Sequence, residues 1–139
     1  AELLFRDHVV PAAAPAIAKA LAGCGATDLL NETLIVDGDG ADWRHWCRAA
    51  GVQYTETGAR RRFVDYDLAV DAARQGLGVI LLRLPLAARA LADRSLSALP
   101  LAEFFPDRGH YLVTRLEEGR PKIRALVDAL KSVAASGVE

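Results

Sequence analysis

The sequence contains no methionine, only two cysteines (Cys24 and Cys47) and three scattered histidines (His8, His45 and His110). Two cysteines cannot build the disulfide framework that staples a small secreted domain. They are expected to be reduced and mostly buried, which points to a cytoplasmic chain. The histidines fall in no His-Glu-x-x-His pattern, and no Cys-x-x-Cys pair accompanies them, so no metal site is expected. No apolar run reaches the length of a membrane-spanning helix. No signal-peptide pattern opens the chain. The first residues fall at once into an apolar strand pattern without an initiating methionine, so a piece of a longer chain is expected. A formal net charge of −1 gives no electrostatic ground for binding nucleic acid.

What is present suits one globular domain. A chain of 139 residues can bury a core, and 52% hydrophobic with 25% charged residues is ordinary soluble composition. Residues 2–11 read as extended, with Pro11 ending the run. Pro15 fits a helix first turn, Ile17 and Leu21 share one face of that helix, and Gly23 and Gly25 stop it. Residues 32–37 form a short strand. Asp42 is the expected N-cap of a helix over 43–50, on which Trp43, Trp46, Cys47 and Ala50 make one apolar face, and Gly51 ends it. Residues 61–64 read as a strand leading to Asp65, the next N-cap, and a helix over 66–75. Val79 to Leu84 is an apolar strand interrupted only by Arg83, and Pro85 opens a further helix to about Asp93. Strands follow at 96–101 and 109–115. The last helix, about 121–134, carries Ile123, Leu126, Val127, Leu130 and Val133 on one stripe. Strands alternating with helices give an α/β class.

The chemistry is sparse. Gly76-Leu77-Gly78 follows a helix and precedes a strand, the reverse of a dinucleotide-binding turn, so these glycines are read as punctuation. Ser95, Ser97, Ser132 and Ser136 lie in no nucleophile elbow, and no catalytic residue or cofactor is assigned. Asp37, Asp39 and Asp42 have an incomplete spacing and too short a loop for an EF-hand calcium site, and suit turns and caps. Arg60-Arg61-Arg62 is the densest positive run. It reads either as a solvated rim or as attraction for an anionic ligand.

Several stretches, in order, resemble the effector-binding domain of LysR-type transcriptional regulators. "RRFVDYDLAVDAARQGLGVILLRLPLAARALADRSLSAL" (61–99) is the strongest, and is most similar to the subgroup containing the glycine-cleavage activator. "FRDHVVPAAAP" (5–15) is similar to the family's lobe-crossing strand and "DWRHWCRAAGV" (42–52) to its Trp-containing helix. "GHYLVTR" and "RPKIRALVDAL" look like its return strand and terminal helix. The resemblance implies a periplasmic-binding-protein-like type II fold, a mixed sheet flanked by helices. Residues 1–11 would be a crossing strand from the first lobe and 12–105 the second lobe. Residues 106–139 would be the return strand and terminal helix of the first lobe. It implies a small-molecule effector, anionic if the arginine run serves it, bound in an inter-lobe cleft. The cleft-facing positions carried over are Pro11, Ala12, Ala13, Asp39, Gly40, Arg62, Phe63, Val64, Asp65 and Gly78. Val64 and Asp65 read equally well as helix start and cap. DNA would be contacted only by an N-terminal domain outside this sequence, and the apolar stripe of the last helix implies a dimer or swapped dimer. A lobe of a solute-binding protein and a small α/β enzyme are the alternatives.

Overall fold

A computed structural model describes residues 1–136 and divides the chain into two units, residues 8–104 and residues 1–7 with 105 onward. The larger unit is built on β2 (His8–Ala13), β3 (Leu34–Asp37), β4 (Arg60–Phe63), β5 (Ile80–Leu84) and β6 (Ser97–Ala98). Strand β2 is antiparallel to β5 on one side and to β6 on the other, while β3 and β4 run parallel. Hydrogen bonds from the Ile35 N–H to the Val79 carbonyl (2.8 Å) and from the Val79 N–H to the Thr33 carbonyl (2.9 Å) join the two sets. The result is one mixed sheet in the order β4-β3-β5-β2-β6.

Strand alternation sends side chains to two apolar layers. Val9, Ala13, Leu34, Val36, Val79 and Leu81 face α1 (Pro15–Ala20) and α3 (Ala41–Ala50). Val10, Ala12, Ile35, Ile80 and Leu82 face α4 (Tyr66–Arg74) and α5 (Ala88–Ala92). Each fully buried Leu, Ile or Val contributes roughly 1.5–3 kcal/mol. The unbroken apolar run before Arg83 reflects burial on both sides. A one-turn helix, α2 (Ala26–Leu29), fills the loop before β3.

Pro11 does not end its strand. It sits in mid-β2 opposite Leu81. Val9 exchanges both backbone bonds with Phe104, and the Pro11 carbonyl accepts from Leu99, so the missing N–H of Pro11 faces the side away from β5. There the partner chain loops out between Leu99 and Phe104, and a proline costs the ladder little.

Helix α3 starts earlier than expected. Gly40, at φ +79°, is its N-cap, and the Asp39 carboxylate accepts the Ala41 N–H at 3.0 Å, so Asp42 is freed for another partner. The expected apolar face holds. Trp43, Trp46 and Cys47 are buried, and the indole N–H groups donate to the carbonyls of Ile35 (2.9 Å) and Ala102 (2.8 Å). Asp65 caps α4 as expected, accepting from the Asp67 N–H at 2.8 Å. Gly76, at φ +80°, ends that helix with its N–H on Ala73 and the Leu77 N–H on Ala72. Pro85 starts a turn rather than a helix, and α5 begins only at Ala88.

The smaller unit pairs β1 (Glu2–Arg6) with β7 (Gly109–Leu112), antiparallel, beside α6 (Pro121–Ser136). Both late strands are shorter than expected, since β6 covers only residues 97–98 and β7 only 109–112. Among its described residues only Asp7 is buried, hydrogen-bonded to Arg108 and His110. The stripe on α6 is open in part, with Leu126, Leu130 and Val133 at 55%, 40% and 68% exposure and Ile123 and Val127 half-buried.

Candidate functional site

Open α/β sheets bind ligands outside the carboxyl ends of their strands, where loops and helix N-termini converge. In the larger unit β3, β4 and β5 all end on one edge. There β3 passes into α3 through residues 38–40, and β4 passes into α4 through Val64 and Asp65.

Beneath these turns lies a cluster that sequence reasoning did not find. The Arg83 guanidinium is ion-paired with Asp37 and lies 3.4 Å from Asp42. Its carbon stands 4.7 Å from the Tyr66 ring centroid, and the Tyr66 hydroxyl accepts the Arg83 backbone N–H at 2.7 Å. The three charged side chains are 14–24% exposed, so their attraction is only partly screened. The buried Arg83 Nε lacks an acceptor among the described residues, a local cost that the two carboxylates and the stacked ring offset. One arginine thereby ties together the ends of β3 and β5 and the first turns of α3 and α4. Its only sequence signal was a charge interrupting an apolar strand.

The positions carried over from the resemblance divide between two ends of the sheet. Asp39, Gly40, Arg62, Phe63, Val64 and Asp65 meet at this edge. Asp39 is exposed and caps Ala41, Phe63 packs half-buried against the second layer, and Val64 is fully exposed at the turn. Arg62 is exposed and lies 3.6 Å from Glu56. Gly78 lies at the opposite end, before β5, about 17 Å from Arg83 at the rise of a strand. A Cβ there would stand 2.7 Å from the Thr33 carbonyl oxygen, so this glycine serves the β3–β5 junction. Ala12 and Ala13 are fully buried, pointing into opposite layers, and Pro11 is buried beside them.

The arginine run also divides. The Arg60 guanidinium donates to the carbonyls of Leu30 (3.0 Å), Thr55 (2.6 Å) and Glu32 (3.2 Å), which makes it a loop brace. Arg61 projects from the other face of β4, and Arg62 returns to the face of α3. Neither thiol is activated. Burial pushes the Cys47 thiol up, against a smaller opposing effect of Arg60, and burial with Asp28 and Glu32 raises Cys24. Among the described residues no group of His, Cys, Asp and Glu could hold a metal ion, and no helix is long and apolar enough to cross a membrane.

The same fold occurs in solved structures. The effector domain of the transcriptional regulator AmpR of Pseudomonas aeruginosa is 29% identical, with a TM-score of 0.75. That match covers 97% of this chain and 64% of the other, so this chain spans less than two thirds of that structure. The AmpR effector binding domain from Citrobacter freundii matches at 21% identity and TM-score 0.77, covering 97% and 67%. Full-length LysG from Corynebacterium glutamicum with bound effector arginine matches at 20% identity and TM-score 0.61, covering 95% and 45%. An ancestral arginine-binding protein shares the fold at 11% identity and TM-score 0.54, covering 98% and 56%. No curated protein sequence matches. The fold is periplasmic-binding-protein-like, and the profile described as LysR substrate binding domain matches residues 1–135, so the chain belongs to the LysR substrate binding domain family.

Proposed function

We propose that this chain is the effector-sensing part of a LysR-type transcriptional regulator and that the edge formed by residues 37–42, 62–66 and 83 binds a small molecule. The observation carrying this reading is the convergence of two helix-starting turns at the strand ends of a chain whose family is that of regulator effector domains. Sensing, not catalysis, is the proposed role, since the edge presents no nucleophile–base pair. An effector that bound one arrangement of the domain more tightly than another would shift their populations, and subunit geometry would follow. DNA contact would belong to a domain outside this sequence, and the protein would act in the cytoplasm.

Residues 12–105 would form the second lobe, with 1–11 and 106–139 belonging to the first. The ordered stretches, above all 61–99, support placement near the glycine-cleavage-activator subgroup. The open stripe on α6 supports a homodimer or swapped dimer. The test is a thermal-shift screen of this chain against amino acids, small carboxylates and phosphorylated metabolites, followed by amide chemical-shift mapping of whatever stabilises it. The reading expects saturable shifts at residues 38–44 and 62–66. Shifts confined to the Gly76–Gly78 end, or no saturable ligand at all, would overturn it.

A further inference from the structure

We infer that Arg44 and Arg62 form a paired guanidinium clamp for an oxyanion, carboxylate or phosphate, on the molecule that this edge binds. The inference rests on the function proposed above and names the chemistry recognised there. Arg62 lies on β4 opposite Val36 of β3, which brings it beside the turn into α3, and Arg44 projects from the first turn of α3 itself. Gly40 lies between them. A Cβ on Gly40 would stand 3.7 Å from the Arg44 Nη1 and 3.7 Å from the Arg62 Nη1, so the two nitrogens are within about twice that distance of each other. The same Cβ would press on Val36 Cγ1 at 3.2 Å, and the φ of +79° already favours glycine. Gly40 itself is buried, with the two guanidinium groups converging over its backbone.

Both arginines are held loosely. Arg44 Nη1 donates to the Asp39 carbonyl at 3.3 Å, and Arg62 Nη2 lies 3.6 Å from Glu56 Oε1 with both side chains more than half exposed. Such long surface contacts are weak and exchange readily. A guanidinium offers a planar fork of donors, and an oxyanion seated against the exposed side of the two guanidinium groups could accept from both forks while relieving their mutual repulsion. Apart from Glu56, the nearby acids are engaged elsewhere. The Asp39 carboxylate takes the Ala41 N–H, and Asp37 and Asp42 turn to Arg83. Arg60, by contrast, is committed to backbone carbonyls and cannot serve.

The test uses the isotope-labelled chain titrated at constant ionic strength with citrate and, separately, inorganic phosphate, with lysine and glycerol as cationic and neutral controls. The clamp predicts saturable shifts at residues 39–44 and 62–65 for at least one of the two anions, and the anion that binds identifies the oxyanion source. Arg44→Gln and Arg62→Gln should each weaken binding about tenfold, as expected for loss of a charge-assisted hydrogen bond. The double variant should lose saturable binding with its circular dichroism unchanged, since both side chains are exposed. Equal anion affinity in the double variant would overturn the clamp. Saturable binding of lysine or glycerol at this edge, indifferent to both substitutions, would overturn the clamp and leave the effector reading standing. If no small molecule perturbs this edge, both fail.

Discussion

A Cβ on Gly78 would meet the Thr33 carbonyl oxygen at 2.7 Å and Ile35 Cγ1 at 3.2 Å, at a φ of +156° that side chains rarely adopt. The Thr33 carbonyl is the acceptor that joins β3 to β5. Gly78→Ala is therefore expected to cost about 2 kcal/mol or more, read as a lower urea midpoint with an unchanged slope. Since Gly78 lies far from the candidate edge, any surviving folded variant should bind ligand as the parent does. Asp7 is held by two partners within its own unit. Its carboxylate oxygens take Arg108 Nε at 3.0 Å and His110 Nε2 at 2.9 Å, and the residue is 2% exposed. Asp7→Ala leaves two donors facing an empty site. A loss of about 1–3 kcal/mol is expected, because Arg108 and His110 are part-exposed and regain water. Faster amide exchange in β1 and β7, with the larger unit unchanged, is the measurement that checks it.

At the scale of elements, α3 shows what periodicity can and cannot specify. Its Trp43–Trp46–Cys47 face was legible because a helix repeats every 3.6 residues. Its start was not, because Asp42 and Gly40 both suit a cap. The choice was decided by Arg83, 41 residues away in sequence, which draws the Asp42 carboxylate inward. The place of Pro11 within β2 was not legible for a related reason, since its tolerance depends on where Leu99 leaves the ladder. The candidate edge was legible in part. Asp39–Gly40 follows one of two parallel strands and Arg62–Asp65 ends and follows the other, so they share an end, whereas Gly78 precedes its strand and falls at the other. Trp43→Phe should cost about 2 kcal/mol by orphaning the buried Ile35 carbonyl, measured by denaturant unfolding. The start of α6 carries a pH signature. The Arg120 side chain, and then its backbone N–H, hold the Glu118 carboxyl down at about 2 from an ordinary 4.5. A depressed folded value stabilises above the unfolded one, so this contribution is full above about pH 4.5 and fades as pH falls through about 2. In Arg120→Gln, the Glu118 titration followed by carboxyl NMR should return toward 4.5.

For the whole molecule, the two units differ in what they bury. The larger has apolar layers on both faces of its sheet, whereas Asp7 is the only buried residue among those described in the smaller. An element with no buried side chain gains little from packing, and a 16-residue helix is marginal in water by propensity alone. Amide exchange should accordingly be graded. The slowest amides should lie in β2, β3 and β5, and those of α6 should exchange near their intrinsic rates if the chain is monomeric. Leu126, Leu130 and Val133 then decide whether it is. Burying three such side chains against a second copy would gain roughly 1.5–3 kcal/mol each before association costs. That range favours a weak dimer over a permanent one. Sedimentation or light scattering across a concentration series should show reversible association, with α6 protection rising in step. Leu126→Glu with Leu130→Glu should abolish both effects while leaving the unfolding of the larger unit unchanged. A parent chain that stays monomeric at high micromolar concentration, with α6 unprotected throughout, would show that a second copy does not cover the stripe.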